Sequence, residues 1–277
     1  LAGALEGARR IGLPMGAESS LRMPLLAYAR LKTLLSARFC DASPLLRALR
    51  MVKSKAEIAL IRRICAIASR AFARAPDLFC EGQPLDAAFR AFRVALLMEG
   101  ADDVPYLVGG AGQGGYGDVI SPPDATQLAR GDVLLLDTGA TLDGYFCDFN
   151  RNFAIAHADE ASLAAHRALF SATAAGLAAA RPGATCADLF NAMAAALPGS
   201  ASAVGRFGHG LGMQLTEWPS VAPWEETVLK PGMVMTLEPS MEIAPGRMMV
   251  HEENILITED APELLSTRTP RELPVIG

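Results

Sequence analysis

The sequence predicts an α/β fold, α+β in the way its strands and helices segregate, made of two similar halves. Three observations carry this. Gly131-Asp-Val-Leu-Leu-Leu-Asp137 and Gly232-Met-Val-Met-Thr-Leu-Glu238 share one plan: a glycine turn, a strand with valine two places on, and an acid six places on. Each acid is followed by another, Asp148 and Glu252, 11 and 14 residues later on the next strand. Helical patterns precede or separate these strand pairs.

Taken in order, Arg10–Met15 reads as a short strand and Leu21–Ser36 as a helix, with ARFCDASP ending in a helix stop at Pro44. Residues 1–48 look like the end of something. A boundary follows, because Ser54 and Glu57 form a capping box. From it Ile58, Ile61, Ile64, Ile67, Ala68, Ala71 and Phe72 recur at helical spacing, which predicts an amphipathic helix to about Phe79. A second helix is expected over Pro84–Met98 and a strand over Val104–Val108. The glycine-rich stretch 109–117 holds a formal GxGxxG match at Gly110, Gly112 and Gly115. A dinucleotide fingerprint needs a helix directly afterwards, and Pro122 and Pro123 follow instead, so a loop near a site is the expectation.

Asp143-Gly144 between apolar runs signals a two-residue hairpin. With those residues as the turn, 142 faces 145, 139 faces 148 and 137 faces 150. Asp137 and Asp148 then share one face of the sheet. Helices are expected at 160–180 and at 185–197, the latter capped by Thr185 with Asp188 three residues on. Strands are expected over Met233–Glu238 and Met248–Thr258, joined across Pro245-Gly246.

The chain has 277 residues, 51% of them hydrophobic, enough for one large domain and a fragment of another. Net charge is −5 without a Lys/Arg block, which argues against nucleic acid. No apolar stretch is long enough to span a bilayer, since the Ala-rich 161–180 region is broken by His166 and Arg167. The first residues, LAGALEGARR, lack a signal-peptide core and an initiator Met, so a truncated piece of a longer protein is expected. Five widely spaced cysteines without a CxxC pair fit reduced thiols and a cytoplasmic setting.

Asp137, Asp148, His209, Glu238 and Glu252 offer four carboxylates and one imidazole, the donors that two neighbouring divalent cations need. Strand-terminal acids are ordinarily solvated, so the grouping matters more than any one of them. His209 lies between two glycines, which suits a ligand. His251 is expected to face away from Glu252, and Cys147 away from Asp148. Tyr145 and Arg151 flank Asp148 and are candidates for substrate contact or plain strand positions. Trp218 is a candidate pocket wall, and Trp224 is assigned to packing. Asp118 offers a carboxylate in the glycine loop.

With these motifs in hand, residues 49–277 resemble the peptidase M24 family of methionine aminopeptidases, prolidases and creatinases, most nearly the Xaa-Pro dipeptidases. The matching segments are KSKAEIALIRR (53–63), GDVLLLDTGATLDGYFCDFNRNFAI (131–155), GHGLGMQLTEWPS (208–220), KPGMVMTLEP (230–239) and HEENILIT (251–258). The resemblance implies the pita-bread fold, with two pseudo-symmetric halves, curved antiparallel sheet and outer helices. It implies residues 1–48 as a remnant of an N-terminal creatinase/prolidase-type domain, 49–277 as the catalytic domain, and a homodimer at full length.

It also implies a pair of divalent ions, Mn, Co, Zn or Fe. Asp137 corresponds to the first metal aspartate and Asp148 to the second, which bridges. His209 corresponds to the metal histidine and Glu252 to the second bridging carboxylate. Glu238 corresponds to the glutamate that binds metal and acts as the catalytic base on water. Glu253 would be a supporting acid beside it. The expected activity is hydrolysis of an amide-type C–N bond in a small substrate, a Xaa-Pro dipeptide first.

Three departures stand out. No histidine lies near Val119–Ser121. Thr216-Glu217 replaces a His-Glu pair, and Val250 replaces an arginine. The two absent histidines motivate one alternative, a non-peptide hydrolase or lyase acting on a small zwitterion, amidine or cyclic amide; a non-catalytic binding module is another, since the fold the resemblance implies is also reused without chemistry. Thr216 and Asp118 are the expected substitutes for the absent imidazoles.

Overall fold

The computed structural model describes residues 1–16, 19–198 and 205–277. The chain divides into two units, Leu1–Met51 and Val52–Gly277.

In the first unit, β1 (Arg10–Leu13) pairs in parallel with β2 (Arg38–Asp41), and α1 (Leu25–Leu34) crosses between them. The α2 helix (Ser43–Met51) follows. Pro44 therefore opens a helix rather than stopping one. In a first turn its missing N–H would have had no intrahelical partner anyway. Within ARFCDASP, Arg38–Asp41 is β2. Leu31 of α1 is buried, while Leu25 and Leu26 are exposed.

The second unit starts at the expected box. Ser54 N donates to Glu57 Oε2 at 2.7 Å, and Glu57 N donates back to Ser54 Oγ at 3.4 Å. From there α3 (Lys55–Ala73) runs one turn short of the expected Phe79. Pro76 has no N–H for the carbonyl four residues back, so the chain restarts as the short α4 (Ala75–Leu78). Next come α5 (Leu85–Met98), β3 (Asp103–Gln113), β4 (Asp132–Leu142), β5 (Tyr145–Phe146) and β6 (Phe149–Ile155). The second half holds α6 (Glu160–Ala179), α7 (Cys186–Ala195), β7 (His209–Gly210), β8 (Glu217–Ser220) and β9 (Val234–Leu237). It closes with β10 (Ser240–Ala244), β11 (Arg247–Val250), β12 (Glu253–Leu256), β13 (Glu263–Leu264) and β14 (Val275–Ile276).

The strands form two five-stranded sheets. One has the order β14-β6-β4-β3 with β5 added to β4, and the other β13-β12-β9-β7-β8. All pairings in them are antiparallel except β14 on β6, which is parallel. The α3 and α5 helices pack on the first sheet, and α6, with α7 beside it, on β9 and on the separate β10–β11 pair. The apolar stripe of α3 (Ile58, Ile61, Ile64, Ala68) meets Leu134, Leu136 and Phe149 of the first sheet in one buried core.

The hairpin register is as expected: Leu142 faces Tyr145 and Asp137 faces Asn150. Asp143 and Gly144 both take positive φ, 50° and 80°, the condition for a tight primed turn. The two glycines of the internal echo behave alike, Gly131 at φ +86° and Gly232 at φ +90°.

Two expectations fail. The stretch 109–113 is not loop, because β3 continues through it. A β-carbon on Gly109 would sit 2.2 Å from Leu135 O, so glycine is what lets the backbones approach. The strand expected over 248–258 breaks at His251 and Glu252. The Pro245-Gly246 turn instead closes a separate β10–β11 hairpin, and β9 pairs with β12.

Candidate metal centre

Strand alternation sets the centre. On β4 the even positions 134, 136 and 142 face the helices, so Asp137 lies on the opposite face. Asp148 occupies the two-residue gap between β5 and β6 and lies on that same face. In the second sheet Leu237 pairs with Glu253, and His251 N donates to Pro239 O at 3.1 Å. That register places Glu238, just after β9, opposite Glu252, just before β12. His209 opens β7, next to β9.

These elements bring the predicted ligands together. Asp148, His209 and Glu252 each offer an atom within 4.8 Å of the others. His209 Nε2 is 3.3 Å from Asp148 Oδ2. Its Nδ1 lies 2.9 Å from Gly210 O, an acceptor that favours the tautomer with the proton on Nδ1 and turns Nε2 towards the carboxyls. Backbone contacts hold the imidazole still: His209 N donates to Thr236 Oγ1 at 3.1 Å. Gly208 (φ +135°) packs so closely that a β-carbon would be 2.2 Å from Thr236 O.

All four carboxyls are pushed up from the ordinary carboxylate range, in each case first by burial. Asp148 adds to this at Asp137, and Asp148, Glu238 and Asp137 add to it at Glu252. Arg206 partly relieves Asp148. Glu238 rises to about 7, with His209 opposing and Asp137 and Asp148 reinforcing the burial. Asp137 Oδ1 and Glu252 Oε2 are buried without a hydrogen-bond partner. Crowded acids with unpartnered oxygens beside an imidazole fit divalent cations, which supply the missing positive charge.

The supporting contacts come from behind the cluster. Asn254 grips the Asp148 backbone twice: its Oδ1 accepts from Asp148 N at 2.9 Å and its Nδ2 donates to Asp148 O. Arg151 donates to Glu252 O and to Glu253 Oε2, both at 2.9 Å, and to Thr267 O. His251 Nδ1 lies 2.7 Å from Thr173 Oγ1 on α6.

Several expected contacts lie elsewhere. Arg151 projects to the helix side of its sheet, 4.7 Å over the Phe149 ring, and is buried there, where it supports Glu252 from behind. Tyr145 OH donates to Glu57 Oε1 at 3.1 Å, turned to α3 rather than to the cluster. Asp118 is exposed and accepts from Ile120 N at 2.9 Å and Ser121 Oγ at 2.6 Å within its own loop. Trp224, assigned to packing, is 69% exposed. Trp218 is half-buried, its Nε1 3.4 Å from Thr227 Oγ1. Cys147 is buried as expected, its thiol pushed up to about 12 chiefly by burial. Thr216 is half-buried and accepts from Arg206 Nη2 at 3.4 Å.

Sequence reasoning missed Asn254, Arg206 and Tyr106. Tyr106 lies on the ligand face of β3 opposite Gly139, and burial and then the Asp137 charge push its phenol up. The hairpin register, extended to the β3 edge, is the signal that could have found it.

Residues 59–259 match the model of metallopeptidase family M24, and the chain belongs to that family. Its fold is the pita-bread fold. A Xaa-Pro dipeptidase of Pyrococcus horikoshii is 29% identical over 277 residues, 98% of this chain and 76% of the relative. A probable dipeptidase PepE of Mycobacterium bovis is 30% identical over 269 residues, 96% of this chain and 71% of the relative. Among solved structures, dipeptidase PepE from Mycobacterium ulcerans superposes with a TM-score of 0.87 at 29% identity, covering 99% of this chain and 73% of that one. Prolidase from Pyrococcus furiosus shares the fold, with a TM-score of 0.88 at 23% identity over 97% of this chain and 79% of that one.

Proposed function

We propose that the chain is a dinuclear metal-dependent dipeptidase acting on Xaa-Pro dipeptides. One observation carries the reading: four carboxyls and the His209 imidazole converge from two sheets, with two buried carboxylate oxygens left unpartnered. The similarity to proteins named as Xaa-Pro dipeptidase and dipeptidase supports the substrate class.

Asp137, Asp148, His209, Glu238 and Glu252 would hold the ions between them. The carboxylate-rich donor set favours Mn or Fe over Co or Zn. When bound, the pair would supply Lewis acidity that acidifies a water and offsets negative charge on the substrate carbonyl. Glu238 is the one carboxyl of the four that keeps partial access to solvent. It is therefore placed to take a proton from the attacking water and hand it to the leaving nitrogen. Asp137, Asp148 and Glu252 stay buried and hold position. Five free cysteines, three of them buried, suit a reducing compartment such as the cytoplasm.

Thr216 and Val250 favour a second reading, a non-peptide hydrolase on the same scaffold acting on a cyclic amidine. The test is to strip the protein, reload it with Mn²⁺, count bound metal and measure turnover. Two equivalents with ~1–10³ turnovers per second on Xaa-Pro dipeptides support the dipeptidase. Turnover confined to cyclic amidines moves the assignment to the second reading. Neither metal nor turnover leaves a binding module.

A further inference from the structure

We propose that a cavity behind the metal ligands binds a small aromatic monocarboxylate and couples it to the metal centre. The cavity, of about 230 Å³, lies between the end of α3, the helix-facing side of β6 and the connection from β13 to β14. Phe72, Phe153, Pro270 and Pro274 give it apolar walls, and Arg151 and Arg268 line it as well. Sites for drug-sized ligands run to about 300–1,000 Å³, so this one suits a body of a single ring. Aromatic and proline faces pack well on such a flat body.

The charge around it favours an anion. Arg151 is matched by Glu253 at 2.9 Å, with both side chains buried. Arg268 is not matched. Its Nη2 donates to Phe170 O at 3.3 Å and its guanidinium lies 3.8 Å over the Phe170 ring, and no carboxylate stands within ion-pair distance of it among the described residues. Burial lowers its pKa, and the Glu253 charge only partly offsets this. Stacking covers one face of the guanidinium and leaves its in-plane donors, of which Nε makes no hydrogen bond. Thr269, also in the lining and 5% exposed, leaves its Oγ1 unpartnered. Glu272, the acid of this segment, is taken by Arg167 at 3.2 Å. A partly desolvated cation without a counter-charge is what a carboxylate completes.

The lining is bonded directly to the metal centre. Arg151 donates to Glu252 O at 2.9 Å and also to Thr267 O. Thr267 N donates to Ser69 Oγ of α3 at 3.0 Å, and Thr269 N donates to Glu253 Oε1 at 3.2 Å. A carboxylate drawn to Arg268 therefore acts on a segment that Arg151 and Glu253 tie to the backbone of Glu252. Occupancy of the cavity and the placement of that metal ligand are thereby linked, and such a link is reciprocal.

The test is calorimetric and measures no turnover, so it stands apart from the dipeptidase reading. Phenylacetate, phenylacetamide and acetate are titrated into metal-free wild type, Arg268→Met and Ala73→Phe. The amide lacks the charge and acetate lacks the ring. Ala73 is exposed at the end of α3 and lines the cavity, so an added ring there should fill it. Wild type is expected to bind phenylacetate with a Kd of about 1 mM or tighter, and the other two about 10-fold or more weakly. Arg268→Met should lose about 10- to 150-fold, the worth of a charged hydrogen bond, and Ala73→Phe should exclude the ligand. Acid, amide and acetate binding equally, or phenylacetate affinity unchanged in both variants, overturns the proposal. If Arg268→Met melts early, Ala73→Phe and the three-ligand comparison decide. Mn²⁺ titrations with and without saturating phenylacetate read the coupling: a shift of about 5-fold or more in Mn²⁺ affinity is expected. An unchanged Mn²⁺ affinity overturns the link to the metal centre.

Discussion

Replacing Asn254 tests how the centre is built, because Asn254 touches no substrate and is not a ligand. It is fully buried, and its side chain satisfies both the N–H and the C=O of Asp148. Asn254→Ala or Asn254→Leu leaves both groups buried and unpaired. At about 1–3 kcal/mol for each orphaned group, the expected loss is about 2–6 kcal/mol of folding stability. In a unit of this size that lowers Tm by roughly 4–24 °C. Leu nearly conserves volume, so a similar loss in both variants assigns the effect to the missing grip rather than to a cavity. Asp148 is also freed to move, so Mn²⁺ affinity should fall by about 10–100-fold. Thermal melting and calorimetric titration of Mn²⁺ measure the two effects. Leu and Ala variants within about 1 kcal/mol of wild type, with unchanged Mn²⁺ affinity, would refute the idea that Asn254 holds Asp148.

Three further outcomes follow from the same geometry. Glu252→Gln should bind less metal by elemental analysis yet raise the Tm of the metal-free protein, because it removes one buried like charge; an unchanged stoichiometry counts against two bridged ions. Metal-free protein should be most stable in acid. Folded Glu238 titrates near 7, above its ordinary 4.5, and Asp137, Asp148 and Glu252 shift the same way, so stability present below about pH 4.5 is lost as pH rises towards 7, whereas Mn²⁺ should reverse the trend by competing with protons; melting curves from pH 4.5 to 7.5 with and without Mn²⁺ check both signs. Gly208→Ala should cost about 2–5 kcal/mol, from left-handed strain plus the clash with Thr236 O, and should weaken metal binding through His209; a wild-type Tm would show that the segment yields.

What could be read in the sequence depended on how local its cause was. The Asp143-Gly144 turn and the period-two strand fix the placement of Asp137 over a few residues, and the Ser54–Glu57 box needs only four. For Arg151 and Tyr145 the local pattern leaves substrate contact and plain strand position equally open, because their direction depends on which face of the sheet the helices cover. The glycine stretch reads as a loop because glycine signals freedom in isolation, and only the approach of Leu135 shows the need for close packing. Asn254 and Arg206 act through residues about 100 and 10 positions away, beyond the reach of local pattern.

The carboxylates enter the centre in matched pairs, one from each sheet, but His209 has no counterpart in the first half. On the dinuclear reading the two cation positions are chemically unequal: one is walled by oxygen alone and the other includes a nitrogen donor. A titration should therefore fill them in succession, with two separate affinities, and a softer metal offered in trace should collect at the His209 side. On that reading the near-symmetry of the halves would hide an order of loading set by a single imidazole.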